Sequence, residues 1–351
     1  MRREKHLFER VVAFGSLHRA FLAASAGKRD RRAVRRFELA LETRLWEMHR
    51  EVAAGAYAWG PYRRFVISDP KRREIRAAPF RDRVAHHAIV AVVDPLFERG
   101  FISDTYACIR GRGQHAAVER YRRFVRARDG RGYAVHCDIA SYFRSVDHGV
   151  LLTLLGRRIA DRRLLDLLAS LIAHGGEAPG VGMPIGALTS QMFANLYLDP
   201  FDHFMKEELR VRHYVRYMDD FVALVDDRAA ARRLLARVEE FLAECLRLRL
   251  NPRRRVIAPL AEPRDFLGYV HHPGGRTRVR RRNVKRARRR FEALEEDLRQ
   301  GRTAPEVARS SIASWIGLAA HADAFRLSRA IFAEHDPGNL GKRLLVARLS
   351  K

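Results

Sequence analysis

Residues 211–225 read Val-Arg-His-Tyr-Val-Arg-Tyr-Met-Asp-Asp-Phe-Val-Ala-Leu-Val, and they are the most informative stretch of the chain. Apolar and β-branched residues flank a charged centre, a pattern that predicts a tight β-hairpin with Asp219 and Asp220 at its tip. Adjacent carboxylates repel one another, so a rigid turn that carries two of them is costly unless cations lie between them. Two divalent ions held about 4 Å apart around a transferring phosphate are one reason to build such a tip. An exposed acidic turn without a metal is the alternative that this pair alone leaves open.

The composition indicates a folded protein that binds a polyanion. The 351 residues can bury one large core or two to three subdomains, and 47% of them are hydrophobic. Lys and Arg number 68 against 41 Asp and Glu, a formal net charge of +27. Most of these cations are arginine, which suits two-point phosphate contacts, so the charge favours nucleic acid as the partner. An anionic membrane would also attract this charge, but the sequence has no apolar run of about 18 residues.

The cysteines and the first residues indicate in which cellular compartment the protein is expected. Cys108, Cys137 and Cys245 are scattered and include no Cys-x-x-Cys pair, which argues against a disulfide framework and against a zinc site. The start, Met-Arg-Arg-Glu-Lys-His, is unlike a secretory signal. We therefore expect a cytoplasmic protein that does not enter a membrane.

Helices and short strands alternate without a regular β-α-β rhythm, which favours an α+β fold with an antiparallel sheet backed by helices. The spacing of apolar residues predicts helices at 5–24, 33–53, 82–98, 115–128, 147–158, 161–174, 190–209, 228–249 and along 283–335, and strands at 62–70, 133–139 and 266–270.

A third carboxylate, Asp138, ends the predicted strand 133–139. One acid on a strand and two on a neighbouring hairpin could hold two Mg²⁺ ions and leave coordination positions open for a triphosphate. An isolated aspartate at a strand end is usually structural, so the prediction depends on Asp138 lying beside Asp219 and Asp220.

Several blocks of the chain resemble the reverse transcriptase family in order and approximate spacing, over roughly residues 60–270. The palm-like blocks are Asp138-Ile-Ala-Ser-Tyr-Phe143, Gly182-Met-Pro-Ile-Gly-Ala-Leu-Thr-Ser-Gln191, Tyr217-Met-Asp-Asp220 and Phe266-Leu-Gly-Tyr269, and the fingers-like blocks are Asp69-Pro-Lys-Arg-Arg-Glu-Ile75 and Phe80-Arg-Asp-Arg-Val84. The resemblance implies a right-hand polymerase with N-terminal helices and fingers at 1–130, a palm at 131–270 and a basic helical thumb at 271–351. Fingers helices would be inserted in the palm at about 147–190. It also implies RNA-dependent DNA synthesis with two Mg²⁺ ions on Asp138, Ile139, Asp219 and Asp220.

One block narrows the choice within the family. Most reverse transcriptases carry Gln-Gly-x-x-x-Ser-Pro against the incoming nucleotide, whereas this chain reads Ile185-Gly-Ala-Leu-Thr-Ser-Gln191. Here it is similar to the enzymes of diversity-generating retroelements, which copy a template RNA with errors at adenines. A glutamine amide can hydrogen-bond the nucleotide and disfavour a misplaced base pair, whereas isoleucine offers only apolar contact. We therefore expect discrimination between correct and incorrect nucleotides to fall by about tenfold or more. A harmless packing substitution at Ile185 is the alternative.

This resemblance implies as partners an element-encoded template RNA, the RNA–cDNA duplex, deoxynucleotides and a small basic accessory protein. Two rival interpretations stay open. One is another bacterial reverse transcriptase, either group II intron-like or associated with defence, and the other is a catalytically silent RNA-binding scaffold.

The resemblance also assigns residues to the incoming nucleotide, together with Ile185 and Gln191. Phe143 would pack under the sugar and select deoxynucleotides, and Tyr142 would line the same pocket through its backbone. A core aromatic is the alternative role for Phe143. Lys71 and Arg73 would contact the β- and γ-phosphates, although Arg72 is an equally basic neighbour.

Template and primer contacts are expected in two regions besides Tyr217 and Met218 of the hairpin. Arg110 and Arg112 lie in Arg-Gly-Arg-Gly-Gln-His, which either wraps template phosphate or only feeds a helix. Leu267 and Gly268 correspond to the family's primer-gripping turn.

Residues 276–290 contain ten cations and no acid. A helix this basic would repel itself away from a polyanion, so we expect it along the duplex backbone as the thumb. The residues assigned to this contact are Arg281, Arg282, Arg286 and Arg289. A flexible basic arm is the alternative.

The sequence departs from the family after the helix at 228–249. Reverse transcriptases usually place a lysine near the active site there, whereas this chain reads Leu250-Asn-Pro-Arg-Arg-Arg255. The sequence does not choose which of Arg253, Arg254 and Arg255 takes the place of that lysine.

Overall fold

The computed structural model describes residues 3–68 and 72–347. The helices are α1 (Leu7–Val12), α2 (Phe14–Ser25), α3 (Arg32–Glu38), α4 (Leu41–Ala53), α5 (Phe80–Glu98), α6 (Gln114–Arg128), α7 (Tyr142–Ser145), α8 (His148–Gly156), α9 (Arg162–Gly175), α10 (Leu188–His203), α11 (Arg228–Leu246), α12 (Arg281–Arg299), α13 (Pro305–Ala319), α14 (Phe325–Glu334) and α15 (Gly341–Ala347). The strands are β1 (Arg63–Ile67), β2 (Arg73–Ala77), β3 (Tyr133–Asp138), β4 (His213–Tyr217), β5 (Asp220–Val225), β6 (Val256–Pro259), β7 (Arg264–Phe266), β8 (Tyr269–His271) and β9 (Thr277–Val279).

The described strands form three sheets. A four-stranded sheet has the order β4-β5-β3-β6. Strands β1 and β2 form an antiparallel ribbon, and β7, β8 and β9 form an antiparallel meander. The α+β expectation from the sequence is therefore confirmed. No helix in the described ranges is both long enough and apolar enough to cross a membrane.

The chain divides into two compact units. The first consists of Met1–Gly111, His136–Val222 and Arg233–Arg255, and the second of Arg112–Val135, Ala223–Arg232 and Val256–Lys351. In the first unit, α5 packs on α2 and α10. Helix α10 is buried along most of its length, which explains why apolar residues lie on nearly all of its sides.

The core of the second unit is formed by the C-terminal helices and the meander. Phe291 of α12, Trp315 of α13 and Phe332 of α14 pack together with Tyr269 of β8 and Val279 of β9. The opposite side of α12 carries arginines, so this helix is amphipathic, with a cationic face in place of a neutral polar one.

The structure corrects several element boundaries. The strand predicted at 266–270 is wrong, because Leu267 (φ 47°) and Gly268 (φ 90°) form a turn between β7 and β8. The single helices predicted at 5–24 and 33–53 are each broken in two. The predicted hairpin is confirmed, but its two-residue turn is Met218-Asp219, and Asp220 begins β5.

Candidate active site

The end of β3 lies beside the β4–β5 turn. The backbone N–H of Ile139, the residue after Asp138, donates to the carbonyl of Asp219 at 3.1 Å. Burial, followed by the negative charges of Asp138 and Asp220, raises the pKa of Asp219 to about 6. The guanidinium of Arg254 lies 2.5 Å from Asp138 Oδ2 and 3.9 Å from Asp220 Oδ2, so these carboxylates lie close together beside Asp219.

Asp138 is contacted at both carboxylate oxygens by the segment that follows α11. Arg254 Nη1 lies 2.5 Å from Asp138 Oδ2, and Asn251 Nδ2 donates to Oδ1 at 3.3 Å. The backbone N–H of Asn251 also donates to the Asp138 carbonyl at 2.8 Å. Arg253 is exposed and Arg255 pairs with Glu239. Arg254 is therefore the arginine that lies at the carboxylates, a choice that the sequence left open.

Asp220 has a partner that the sequence analysis missed. His136 Nε2 lies 2.6 Å from Asp220 Oδ1. His136 precedes Asp138 by two residues on β3, and side chains two apart on a strand point to the same face. Because β5 is the neighbour of β3, the two-residue spacing between His136 and Asp138 could have indicated that His136 faces the same site.

The donor set fits a divalent cation, although the side chains are not arranged around one. Among residues 3–68 and 72–347, no three His, Cys, Asp or Glu side chains surround a common metal position. The carboxylate oxygens instead face Arg254 and His136. Three converging carboxylates, one with a raised pKa, are an excess of negative charge that a divalent cation would relieve.

A buried ion pair supports the turn from behind, and the sequence analysis did not anticipate it. Arg216 of β4 and Asp202 of α10 are both fully buried, with Nη2 and Oδ2 2.6 Å apart. Arg216 Nη1 also donates to the Met218 carbonyl at 3.0 Å. Met218 has a left-handed backbone (φ 57°), which costs about 1 kcal/mol or more in a non-glycine residue. The bond from Arg216 helps to hold the turn in this conformation.

The residues assigned to the nucleotide lie in the first unit. Tyr142 is buried and its hydroxyl donates to the Ala194 carbonyl at 2.6 Å. The half-buried Phe143 follows it, and the Phe143 carbonyl accepts from the N–H of Met183 at 2.7 Å. This bond joins the Phe143 segment to the block that contains Ile185.

The segment around Ile185 is held against β2. The Ile185 carbonyl accepts from the Arg76 N–H at 2.9 Å. Gly186 has φ 112°, and a Cβ at this position would lie 2.8 Å from Ile75 Cγ2, so only glycine fits. Gln191 is exposed on the first turn of α10.

The fingers-like basic residues are only partly described. Arg73 is the exposed first residue of β2, and Arg72 beside it is equally exposed, so exposure does not separate them. Lys71 lies outside the described residues. Arg110 is exposed in the first unit, whereas Arg112 belongs to the second.

The predicted primer-gripping turn lies in the second unit. Gln114 Nε2 donates to the Leu267 carbonyl at 2.7 Å, and the Arg280 N–H donates to the Gly268 carbonyl at 3.1 Å. These bonds hold the Leu267-Gly268 turn against the starts of α6 and α12.

Helix α12 presents two parallel rows of exposed cations. Positions four apart on a helix lie on one side and rise by about 6 Å. Arg288 lies outside this spacing, and its Nε lies 3.2 Å from Glu334 Oε2. The sequence analysis missed Lys285 and Arg290 as members. The rows are Arg281, Lys285 and Arg289, and Arg282, Arg286 and Arg290.

Comparison with known proteins identifies the family of the chain. The profile of the family described as "Reverse transcriptase (RNA-dependent DNA polymerase)" matches residues 68–271, more than half of the chain. Protein YkfC of Escherichia coli K12 is 27% identical over 62% of this chain and 68% of its own length. The group II intron-encoded protein LtrA of Lactococcus lactis subsp. cremoris is 20% identical, over 65% of this chain but 49% of LtrA.

The fold is shared with a solved polymerase. The structure of apo telomerase from Candida tropicalis superposes with a TM-score of 0.51 at 9% identity, covering 78% of this chain and 56% of that one. This likeness confirms the polymerase fold expected from the sequence, and the profile match confirms the expected family. The chain belongs to the reverse transcriptases, the family of RNA-dependent DNA polymerases.

Proposed function

We propose that this chain copies a template RNA into cDNA at the site formed by Asp138, Asp219 and Asp220. The observation that carries the proposal is the convergence of the end of β3 with the β4–β5 turn, where the Ile139 N–H bonds the Asp219 carbonyl at 3.1 Å. Reverse transcriptases use divalent metal ions, and here the three carboxylates, with Ile139 beside them, would hold two Mg²⁺. The chemistry that these ions supply is activation of a primer 3′-hydroxyl and neutralisation of the leaving pyrophosphate.

In this proposal, the residues around the carboxylates bind the incoming deoxynucleotide. Phe143 packs under the deoxyribose and Tyr142 supports it from the core. Arg73 binds phosphate with its two-point guanidinium, alongside Lys71. Ile185 and Gln191 border the base, where the apolar side chain of Ile185 offers no hydrogen bond to test pairing.

Template and primer are assigned to the hairpin and to the second unit. Tyr217 and Met218 flank the carboxylates, and the Leu267-Gly268 turn grips the primer end. The two cation rows of α12 lie along the duplex backbone as a thumb, with Arg110 and Arg112 on template phosphate. In this scheme residues 1–130 contribute fingers, 131–270 the palm and 271–351 the thumb.

The subtype that we propose is the error-prone enzyme of a diversity-generating retroelement, acting in the cytoplasm with a small basic accessory protein. Ile185 in place of glutamine and Gln191 in place of proline support it. A group II intron-like enzyme is the second candidate, supported by the 20% identity to LtrA. An adenine-variable repeat pair beside the gene would favour the first, and its absence would favour the second.

Primer extension on poly(rA)–oligo(dT) with Mg²⁺ tests the activity. We expect the wild-type chain to extend the primer and Asp219→Asn to lose at least about 100-fold in rate, because transition-state charge stabilisation is removed. Affinity for RNA should change little. Asp227→Asn is the matched control, since Asp227 caps the start of α11 by accepting from the Ala230 N–H at 2.7 Å, and asparagine can do the same. Extension by Asp219→Asn at the wild-type rate would refute the two-metal site.

A further inference from the structure

The two oxygens of Asp220 have different surroundings. His136 Nε2 lies 2.6 Å from Oδ1, within hydrogen-bond distance. On the other side, Arg254 Nη2 is 3.9 Å from Oδ2, which is too far for a hydrogen bond. One oxygen of Asp220 is therefore held, and the other is available to a cation.

Asp138 differs from Asp220 in this respect. Both of its oxygens have partners, Asn251 at 3.3 Å and Arg254 at 2.5 Å. A cation that bound Asp138 through Oδ2 would have to displace Arg254, because Arg254 contacts that oxygen. The contact between His136 and Asp220 involves neither of these groups and can persist when Arg254 moves away.

We infer that His136 is a positioning residue of the carboxylate site: it donates a hydrogen bond to Asp220 Oδ1 and thereby directs Oδ2 towards the cation that Asp138 and Asp219 share. The inference rests on the proposed function. An ionised carboxylate only accepts hydrogen bonds, so the contact places a proton on Nε2 of His136. Rotation of the carboxylate about its terminal bond would break this hydrogen bond, so Oδ2 keeps one preferred direction.

The position of His136 in the sheet supports this role. It lies on β3 on the same face as Asp138, and β3 is hydrogen-bonded to β5, which begins with Asp220. The side chains of His136 and Asp220 are only 25% and 15% exposed, so water competes weakly for the bond. Groups that hold a metal-binding carboxylate from behind typically change metal affinity or activity by about 10- to 100-fold when removed.

The test compares His136→Leu, which removes the donor at similar size, with His136→Gln, whose amide can still donate. His18→Leu is the matched control, because His18 is exposed on α2 and distant in sequence from every site residue. Binding of Mn²⁺ to the 351-residue chain without RNA or nucleotide is measured by electron paramagnetic resonance. The half-saturating Mg²⁺ concentration, the KM for deoxynucleotide and the midpoint of thermal unfolding are measured in parallel.

We expect His136→Leu to raise the Mn²⁺ dissociation constant and the half-saturating Mg²⁺ at least about tenfold, with His136→Gln within about threefold of wild type. The nucleotide KM at saturating Mg²⁺ and the thermal midpoint should stay near the wild-type values. Wild-type Mn²⁺ affinity in His136→Leu would overturn the inference, and so would equal losses in the leucine and glutamine variants. Absence of primer extension by the wild-type chain is a different result, which contradicts the proposed function itself.

Discussion

Arg254 Nη1 lies 2.5 Å from Asp138 Oδ2, and the same guanidinium reaches to 3.9 Å from Asp220 Oδ2. One arginine thus lies between the first and third carboxylates of the site. A cation there offsets the repulsion among carboxylates, which would otherwise destabilise the protein without metal. A metal ion that bound Asp138 through Oδ2 would need the oxygen that Arg254 contacts, so Arg254 and the metal should compete for it.

Replacement of Arg254 tests this competition. We expect Arg254→Ala to lower the thermal midpoint in EDTA by about 1–2 °C, corresponding to roughly 1 kcal/mol, because Asp138 loses its counter-ion. The rise in midpoint on adding Mn²⁺ should be larger than in the wild type, since the metal no longer displaces an arginine. Thermal unfolding with and without Mn²⁺ gives both values. Arg253→Ala, in the exposed neighbour, is the control, and an Arg254→Ala variant with the wild-type metal response would contradict the competition.

The raised pKa of Asp219 gives a pH dependence with a definite sign. Burial, and then the charge of Asp138, raises this pKa from 3.8 to about 6, so the folded state binds the proton more tightly than the unfolded state. The stabilisation from the proton is complete below about pH 4 and is lost as pH rises through 6. Asp219→Asn never carries the charge. In EDTA it should therefore be more stable than wild type near pH 7.5, by on the order of 1–2 kcal/mol, and the advantage should disappear towards pH 4.

Urea unfolding of both proteins across this pH range measures the difference. The Asp227→Asn variant provides the comparison for an aspartate that caps a helix away from the carboxylates. If the difference in the free energy of unfolding between Asp219→Asn and wild type stays constant between pH 4 and 7.5, the charge of Asp219 is not destabilised in the folded protein.

The sequence predicted the hairpin because apolar residues on both sides of Asp219 and Asp220 are typical of two strands joined by a short turn. It could not choose Arg254, since three consecutive arginines have the same chemistry and only the short helical turn Pro252–Arg254 decides which one faces Asp138. From the sequence alone, Arg216 would be placed on the surface, because arginine is rarely buried without a partner. Its buried partner Asp202 lies on a different element, which the sequence does not place beside it. Residues 266–270 were mistaken for one strand because the run is too short to show the turn at Leu267 and Gly268.

The buried pair of Arg216 and Asp202 should be essential for stability. Arg216→Met leaves the Asp202 carboxylate without its cation in a site that water does not reach, and we expect a loss of about 3–5 kcal/mol in the free energy of unfolding. Arg212→Met, in an exposed residue just before β4, should change stability little. Urea denaturation compares the two. A loss under about 1 kcal/mol for Arg216→Met would show that the pair contributes little to stability.

The fidelity of copying tests the assignment of Ile185. We expect Ile185→Gln to lower misincorporation opposite template adenine by about tenfold, because an amide adds a polar contact that depends on base placement. The bond between the Ile185 carbonyl and the Arg76 N–H uses backbone atoms and survives the substitution. Sequencing of cDNA gives the error spectrum, and errors opposite the other three template bases are the internal control. Gln191→Pro should act in the same direction, and an unchanged spectrum in both variants would count against the retroelement subtype.

The cation rows of α12 predict a salt-dependent, sequence-independent affinity for the RNA–DNA duplex. Each phosphate contact made by Lys or Arg steepens the dependence of log K on log salt by about 0.7–0.9. The triple variant with Arg281, Lys285 and Arg289 changed to Gln should therefore reduce the slope by roughly 2–3, equally for duplexes of different sequence. Fluorescence anisotropy at several salt concentrations measures it. Arg299→Gln is the control on the same helix, because Arg299 pairs with Glu296, and an unchanged slope in the triple variant would exclude this row from the duplex contact.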